Sequence, residues 1–223
     1  MAEGGKASRG MMEDLAWVRQ VRGLLEAQRD MGVTEIWVPD AWGELRREVE
    51  GCRRCPLWRS RRHTVFGSGD TRAGMMFVGE APGDEEDARG EPFVGAAGEL
   101  LTRMIKAIKM QRGEVYIANV LKCRPPGNRD PLPEEVEACK PYLLRQIELV
   151  RPKVLCALGR VAGQTLLGTS QPLSRLRGRV HRALGTKVVV TFHPAALLRN
   201  PGWKRLAWED MKLLRREYDG LEI

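Results

Sequence analysis

No stretch of the 223 residues approaches the roughly 18 consecutive apolar residues of a membrane span. The first ten residues, Met1 to Gly10, are small and polar and lack the apolar core of a secretory signal. These absences argue against a membrane partner, and a cytoplasmic, monomeric protein is the expectation. No internal repeat is present, which excludes a solenoid or propeller. Cysteine is sparse, at five residues. In an intracellular chain, reductants keep thiols free, so these five are expected to be ligands or buried thiols, not disulfides.

What is present suits one α/β domain with an appendage: 25.1 kDa with an ordinary 43% hydrophobic content. A net charge of +8 and a pI near 9.5 favour a polyanionic partner without naming it. Residues 1–43 read as a partly ordered extension, with a weak helical period through Leu15, Val18, Val21 and Leu25. Residues 44–223 form the expected functional domain.

From residue 44 onward, short apolar runs alternate with helical patterns, the habit of a parallel sheet wrapped by helices. Four strands are predicted, at 75–79, 115–120, 154–158 and 188–192. Helices are predicted at 97–111, about 134–150, 161–167 and 203–218, with Pro141 expected to break or kink the second. Ligands of open parallel sheets sit outside the carboxyl ends of the strands. The first strand runs into Gly79-Glu80-Ala81-Pro82-Gly83, the second into Asn119 and the fourth into His193-Pro194, so three strand ends converge on one crevice.

Cys52 and Cys55 form a Cys-x2-Cys pair, followed by Cys123 and Cys139. Four such thiolates fit a tetrahedral zinc or a [4Fe–4S] cluster, and spacing alone does not separate the two. Cys156 lies mid-strand and reads as a buried small hydrophobe.

The segments Gly79–Gly83 with Glu86-Asp87, Pro92–Gly95, Asn119–Arg129 and His193–Arg199 resemble the motif series of the family 4 uracil-DNA glycosylases. The resemblance covers roughly residues 45–217 and implies a three-layer α/β/α sandwich around a central four-stranded parallel sheet. It also implies that Cys52, Cys55, Cys123 and Cys139 hold a structural [4Fe–4S] cluster. The implied activity is hydrolysis of the N-glycosidic bond of uracil in single- or double-stranded DNA, leaving an abasic site.

The chemistry of that reaction assigns roles. A stacked base must be extruded into a pocket, and Phe93 is the candidate floor, with core packing as its alternative. Asn119 carries an amide that matches the O4 acceptor and N3 donor of uracil, although a strand-end Asn is commonly a turn-former. Gly79 and Ala81 border the base. His193 is the candidate donor to O2 as negative charge develops on the leaving base. Glu80 is the candidate for orienting water, because Ala81 occupies the loop position where better-known uracil glycosylases carry an aspartate. Glu86 and Asp87 brace the loop or cap a helix. On the DNA side, Asn128 is assigned to positioning, Leu197 to a wedge in the vacated stack unless it is core, and Arg199 to a phosphate.

No lysine is placed by a motif as a Schiff-base nucleophile, which points to a monofunctional enzyme. The competing classes are a non-catalytic or crosslinking uracil-DNA binding protein and a metal-bearing scaffold. Residues 123–131 lack the inserted basic loop and histidine that mark such a binder.

Overall fold

The structure, a computed structural model, describes residues 23–24, 26–32 and 40–220. Contacts divide the chain into Met1–Asp40 and Ala41–Ile223. In the first unit, residues 26–30 are helical and end in a turn at Met31-Gly32, where Gly32 takes a left-handed φ of 84°. The rest of the helical period expected from Leu15 lies outside the described residues.

In the second unit the strands are β1 (Ser68–Gly69), β2 (Met75–Gly79), β3 (Tyr116–Asn119), β4 (Val154–Leu158), β5 (Val180–Ala183) and β6 (Thr186–Thr191). They form one sheet in the order β1-β3-β2-β4-β6-β5. The inner four are parallel, as expected, but the sheet is six-stranded, because β1 and β5 add antiparallel edges. The β5–β6 hairpin turns on Leu184 and Gly185, both left-handed, at φ 53° and 72°. Such a two-residue turn is usually announced by Asn-Gly, and Leu-Gly hides it.

The helices are α1 (Ala41–Glu50), α2 (Asp84–Arg89), α3 (Ala96–Ala107), α4 (Pro133–Val150), α5 (Arg160–Leu167), α6 (Leu173–Leu176), α7 (Pro194–Arg199) and α8 (Lys204–Asp219). The period of two in each strand splits the core between the two sheet faces. Met76 and Val78 join Leu45, Leu143, Ile147 and Leu166 from α1, α4 and α5. Met75 and Phe77 join Leu101, Ile105, Met211 and Leu214 from α3 and α8. Pro141 does not break α4, which runs on for 18 residues. Burial of Cys139, Tyr142, Leu143, Gln146, Ile147 and Val150 along one face outweighs the roughly 3 kcal/mol a mid-helix proline costs.

Register positions the site. Gly79 pairs with Asn119 across β2–β3, and Leu158 with Thr191 across β4–β6. The residues that follow these pairs emerge together at the carboxyl edge, where the connections from the neighbouring strands β2 and β4 run to opposite sides.

Candidate active site

A cavity of about 340 Å³ opens at that edge, lined by Glu80, Ala81, Phe93, Asn119, Asn128, His193 and Arg199, with Glu86 and Asp130 among their neighbours. Residues from four separate sequence motifs thus meet at one place. Gly79 contributes its lack of a side chain: a Cβ there would lie 2.3 Å from Asn119 Oδ1 and 2.5 Å from the Phe93 ring. Leu197 does not belong to this site. It is 1% exposed and packs with Leu100, Phe192 and Ala207, because the short α7 turns it onto α3, whereas Leu198 is 40% exposed. The expectation that Leu197 wedges into DNA is therefore corrected.

Asn119 is 1% exposed, and its Oδ1 is the one buried side-chain polar atom without a hydrogen-bond partner among the described residues. A buried carbonyl oxygen left unpaired costs about 1–3 kcal/mol, so the site holds a standing demand for a donor. Phe93 is 6% exposed and lies 5.6 Å from the His193 ring at 32°. Its φ of 54° is left-handed, a strained conformation for an aromatic residue. Three contacts hold it: Arg112 Nη2 donates to Pro92 O at 2.6 Å, and the Val94 and Gly95 amides donate to Glu86 Oε1 at 3.0 and 3.2 Å. The backbone of Gly98 packs so close to Phe93 O that a Cβ would meet it at 1.8 Å. Glu86 Oε2 also accepts from Gly83 N at 3.0 Å, so this carboxylate both braces the loop and closes the first turn of α2. Asp87 is buried and accepts from Arg62 N.

His193 caps α7, its Nδ1 accepting from Ala195 N–H at 3.2 Å. That bond leaves the ring proton on Nε2. Burial, then the nearby Arg199 charge, lowers the imidazole to about 4, so the ring is neutral and an Nε2–H donor at ordinary pH. Glu80 moves the other way. Burial first, then the Asp130 charge, raises its carboxyl to about 7, with Arg160 opposing. Arg160 pairs with Asp130 at 2.6 Å. The Asn128 turn, left-handed at φ 54°, is held by Arg124 Nε donating to its Oδ1 at 2.7 Å.

Cys52, Cys55, Cys123 and Cys139 line a second cavity, between α1 and α4, with Arg61, Lys122 and Tyr142 beside them. All four are free of disulfides. Arg61 Nη1 donates to Cys123 Sγ at 3.3 Å and to Cys52 O at 3.0 Å. Burial raises Cys123, with the Arg61 bond opposing, and pushes Cys139 up to about 12, with Lys122 opposing. Thiols this dry give up their protons to a metal or not at all. Cys156 is buried in β4, away from this group.

Sequence reasoning missed Lys122, Gln146, Asp130 and Arg61. Lys122 lies inside the Asn119–Arg129 motif, and a lysine directly before one of the four grouped cysteines was the available signal. Nothing in the sequence marked the other three.

An open sheet with a parallel core and a cavity at its carboxyl edge is built to receive a ligand at the strand ends. The family model described as "Uracil DNA glycosylase superfamily" matches residues 66–212. The type-4 uracil-DNA glycosylase of Archaeoglobus fulgidus is 46% identical over 76% of this chain and 89% of its own. Those of Sulfurisphaera tokodaii (44%, over 79% and 84%) and Thermotoga maritima (45%, over 74% and 88%) are similarly related. The chain belongs to the uracil-DNA glycosylase superfamily and, within it, to the type-4 enzymes. It is a hydrolytic DNA glycosylase acting on uracil in DNA.

Proposed function

We propose that the pocket takes an extruded uracil, with Phe93 stacking on its face and Gly79 and Ala81 lining its edge. The Asn119 amide reads O4 and N3–H. The single observation that carries this reading is the unpaired, buried Asn119 Oδ1, which the N3–H of uracil would satisfy and the N3 lone pair of cytosine would not. As the glycosidic bond breaks, negative charge gathers on O2, and the fixed Nε2–H of His193 stabilises it. The Glu80 carboxylate orients water toward the sugar carbon. Arg199 and Asn128 hold the DNA strand, and Leu198, in place of Leu197, fills the gap in the stack.

The thiol cavity is assigned a [4Fe–4S] cluster. Four thiolates fit either a tetrahedral zinc or a [4Fe–4S] cluster, and the position of these cysteines in the type-4 motif series favours the cluster. When bound, the cluster supplies structure: four thiolate bonds tie the Cys52–Cys55 turn and the segment after β3 to α4. We place the enzyme in the cytoplasm as a monomer, with its chemistry confined to Ala41–Ile223. The test is incubation with oligonucleotides carrying one uracil, single-stranded and paired, followed by alkaline cleavage. Strand scission at the uracil supports the reading, and binding without scission refutes it.

A further inference from the structure

Asn119 closes β3 at the pocket, and Cys123 faces the thiol cavity. Between them Lys122 is 1% exposed. Its ammonium donates to Asn119 O at 2.8 Å and to Gln146 Oε1 at 2.6 Å. Gln146 is held in turn, its Nε2 donating to Phe66 O at 2.8 Å and to Tyr116 Oη at 3.1 Å. The backbone N–H of Lys122 donates to Cys139 Sγ at 3.2 Å, and its carbonyl accepts from Val65 N at 2.8 Å. One residue therefore touches a ligand cysteine through its backbone and the base-reading strand end through its side chain.

A buried ammonium costs far more desolvation than a neutral donor, so a lysine here needs a reason. Its two hydrogen-bond acceptors, Asn119 O and Gln146 Oε1, are both neutral. The Asn119 side chain offers no self-restraint, because its Oδ1 has no partner. An asparagine free to turn would accept cytosine as readily as uracil, so discrimination demands a held amide. Val120 N–H, on the same peptide plane, donates to Gly79 O at 2.9 Å, and the bond from Lys122 to Asn119 O completes the restraint on the backbone from which the side chain projects.

We propose that Lys122 is a positioning residue for base recognition: its side chain, anchored by Gln146, clamps the Asn119 carbonyl and so steadies the strand end that presents the base-reading amide. The inference rests on Asn119 being the base reader, and the test separates the two. Lys122→Met, Asn119→Ala and the double variant are compared with the unmodified enzyme for iron content and visible spectrum. Excision rate and KM are measured on single-stranded uracil DNA. Affinity is measured for an oligonucleotide carrying a non-cleavable 2′-fluorinated deoxyuridine and for undamaged DNA.

Iron-replete Lys122→Met is expected to lose roughly ten- to a hundredfold in excision efficiency, the loss of a charged hydrogen bond, with KM raised toward the affinity for undamaged DNA. It should also lose preferential binding of the fluorinated uracil strand while binding undamaged DNA normally. In the Asn119→Ala background the same substitution should cost almost nothing further, since both act on one interaction. Additive losses in the double variant, or a normal efficiency in iron-replete Lys122→Met, would overturn the proposal. If Lys122→Met fails to hold iron, Gln146→Met decides, because Gln146 bonds Lys122, Phe66 and Tyr116 and no cysteine. It should show the same loss of efficiency with full iron, and a normal efficiency would overturn the clamp. Asn119→Ala that keeps normal uracil preference would instead refute base reading by Asn119, and the clamp with it.

Discussion

Glu80 gives the account a quantitative pH dependence. Burial, then the Asp130 charge, raises its carboxyl to about 7, and the mechanism uses the carboxylate. The ionised fraction is then about one half at pH 7, about a tenth at pH 6 and about a hundredth at pH 5. His193, lowered to about 4, stays a neutral donor across that range, so Glu80 alone shapes the acid limb. Single-turnover excision from single-stranded uracil DNA should fall about tenfold per unit below pH 7 and level off above about pH 8. Asp130→Asn removes the charge that raises Glu80 and frees Arg160 from its 2.6 Å partner. Both changes favour the carboxylate, so the limb should move to lower pH, and Glu80→Gln should abolish it. A rate flat from about pH 5 to 8 would refute the role of Glu80, as would a limb that Asp130→Asn moves upward.

His193→Ala should lose roughly a hundred- to a thousandfold in single-turnover rate with a much smaller change in DNA affinity; an unchanged rate would remove the imidazole from the mechanism. Leu198→Ala should impair excision from duplex more than from single strands, whereas Leu197→Ala should lower unfolding stability by about 2–5 kcal/mol in a denaturant titration. A duplex-selective defect at Leu197 without loss of stability would reverse that assignment. The purified protein should be brown with about four iron per chain, and Cys139→Ser should lose both iron and stability. Stoichiometric zinc without visible absorbance would contradict the cluster.

The parallel core was legible because its strands are continuous apolar runs, with β4 matching at both ends of 154–158. The edge strands were not. β1 has only two residues, and β5 mixes His181 and Arg182 with its apolar positions before an atypical turn. Pro141 does not end its helix, because burial outweighs local propensity there. Motif residues at strand ends met as expected, since register places Gly79 beside Asn119. Leu197 and Leu198 could not be told apart by sequence, because a one-residue rotation on a six-residue helix decides which faces α3. The Glu80–Asp130–Arg160 arrangement was invisible for a related reason: it joins two loop residues to the first residue of α5 through tertiary contact.

Base reading by the amide of Asn119 is the central claim, and Asn119→Asp tests it while nearly preserving side-chain volume. An ionised aspartate cannot donate to uracil O4, but it can accept from the cytosine amino group, with a shared proton completing the pair at N3. Abasic-site yield is measured after alkali from matched single strands carrying uracil or cytosine, which removes the cost of breaking a guanine pair. The account predicts uracil excision reduced by about 1–3 kcal/mol or more in apparent barrier, with cytosine excision becoming detectable. An Asn119→Asp enzyme that kept the full uracil preference of the unmodified protein would contradict it.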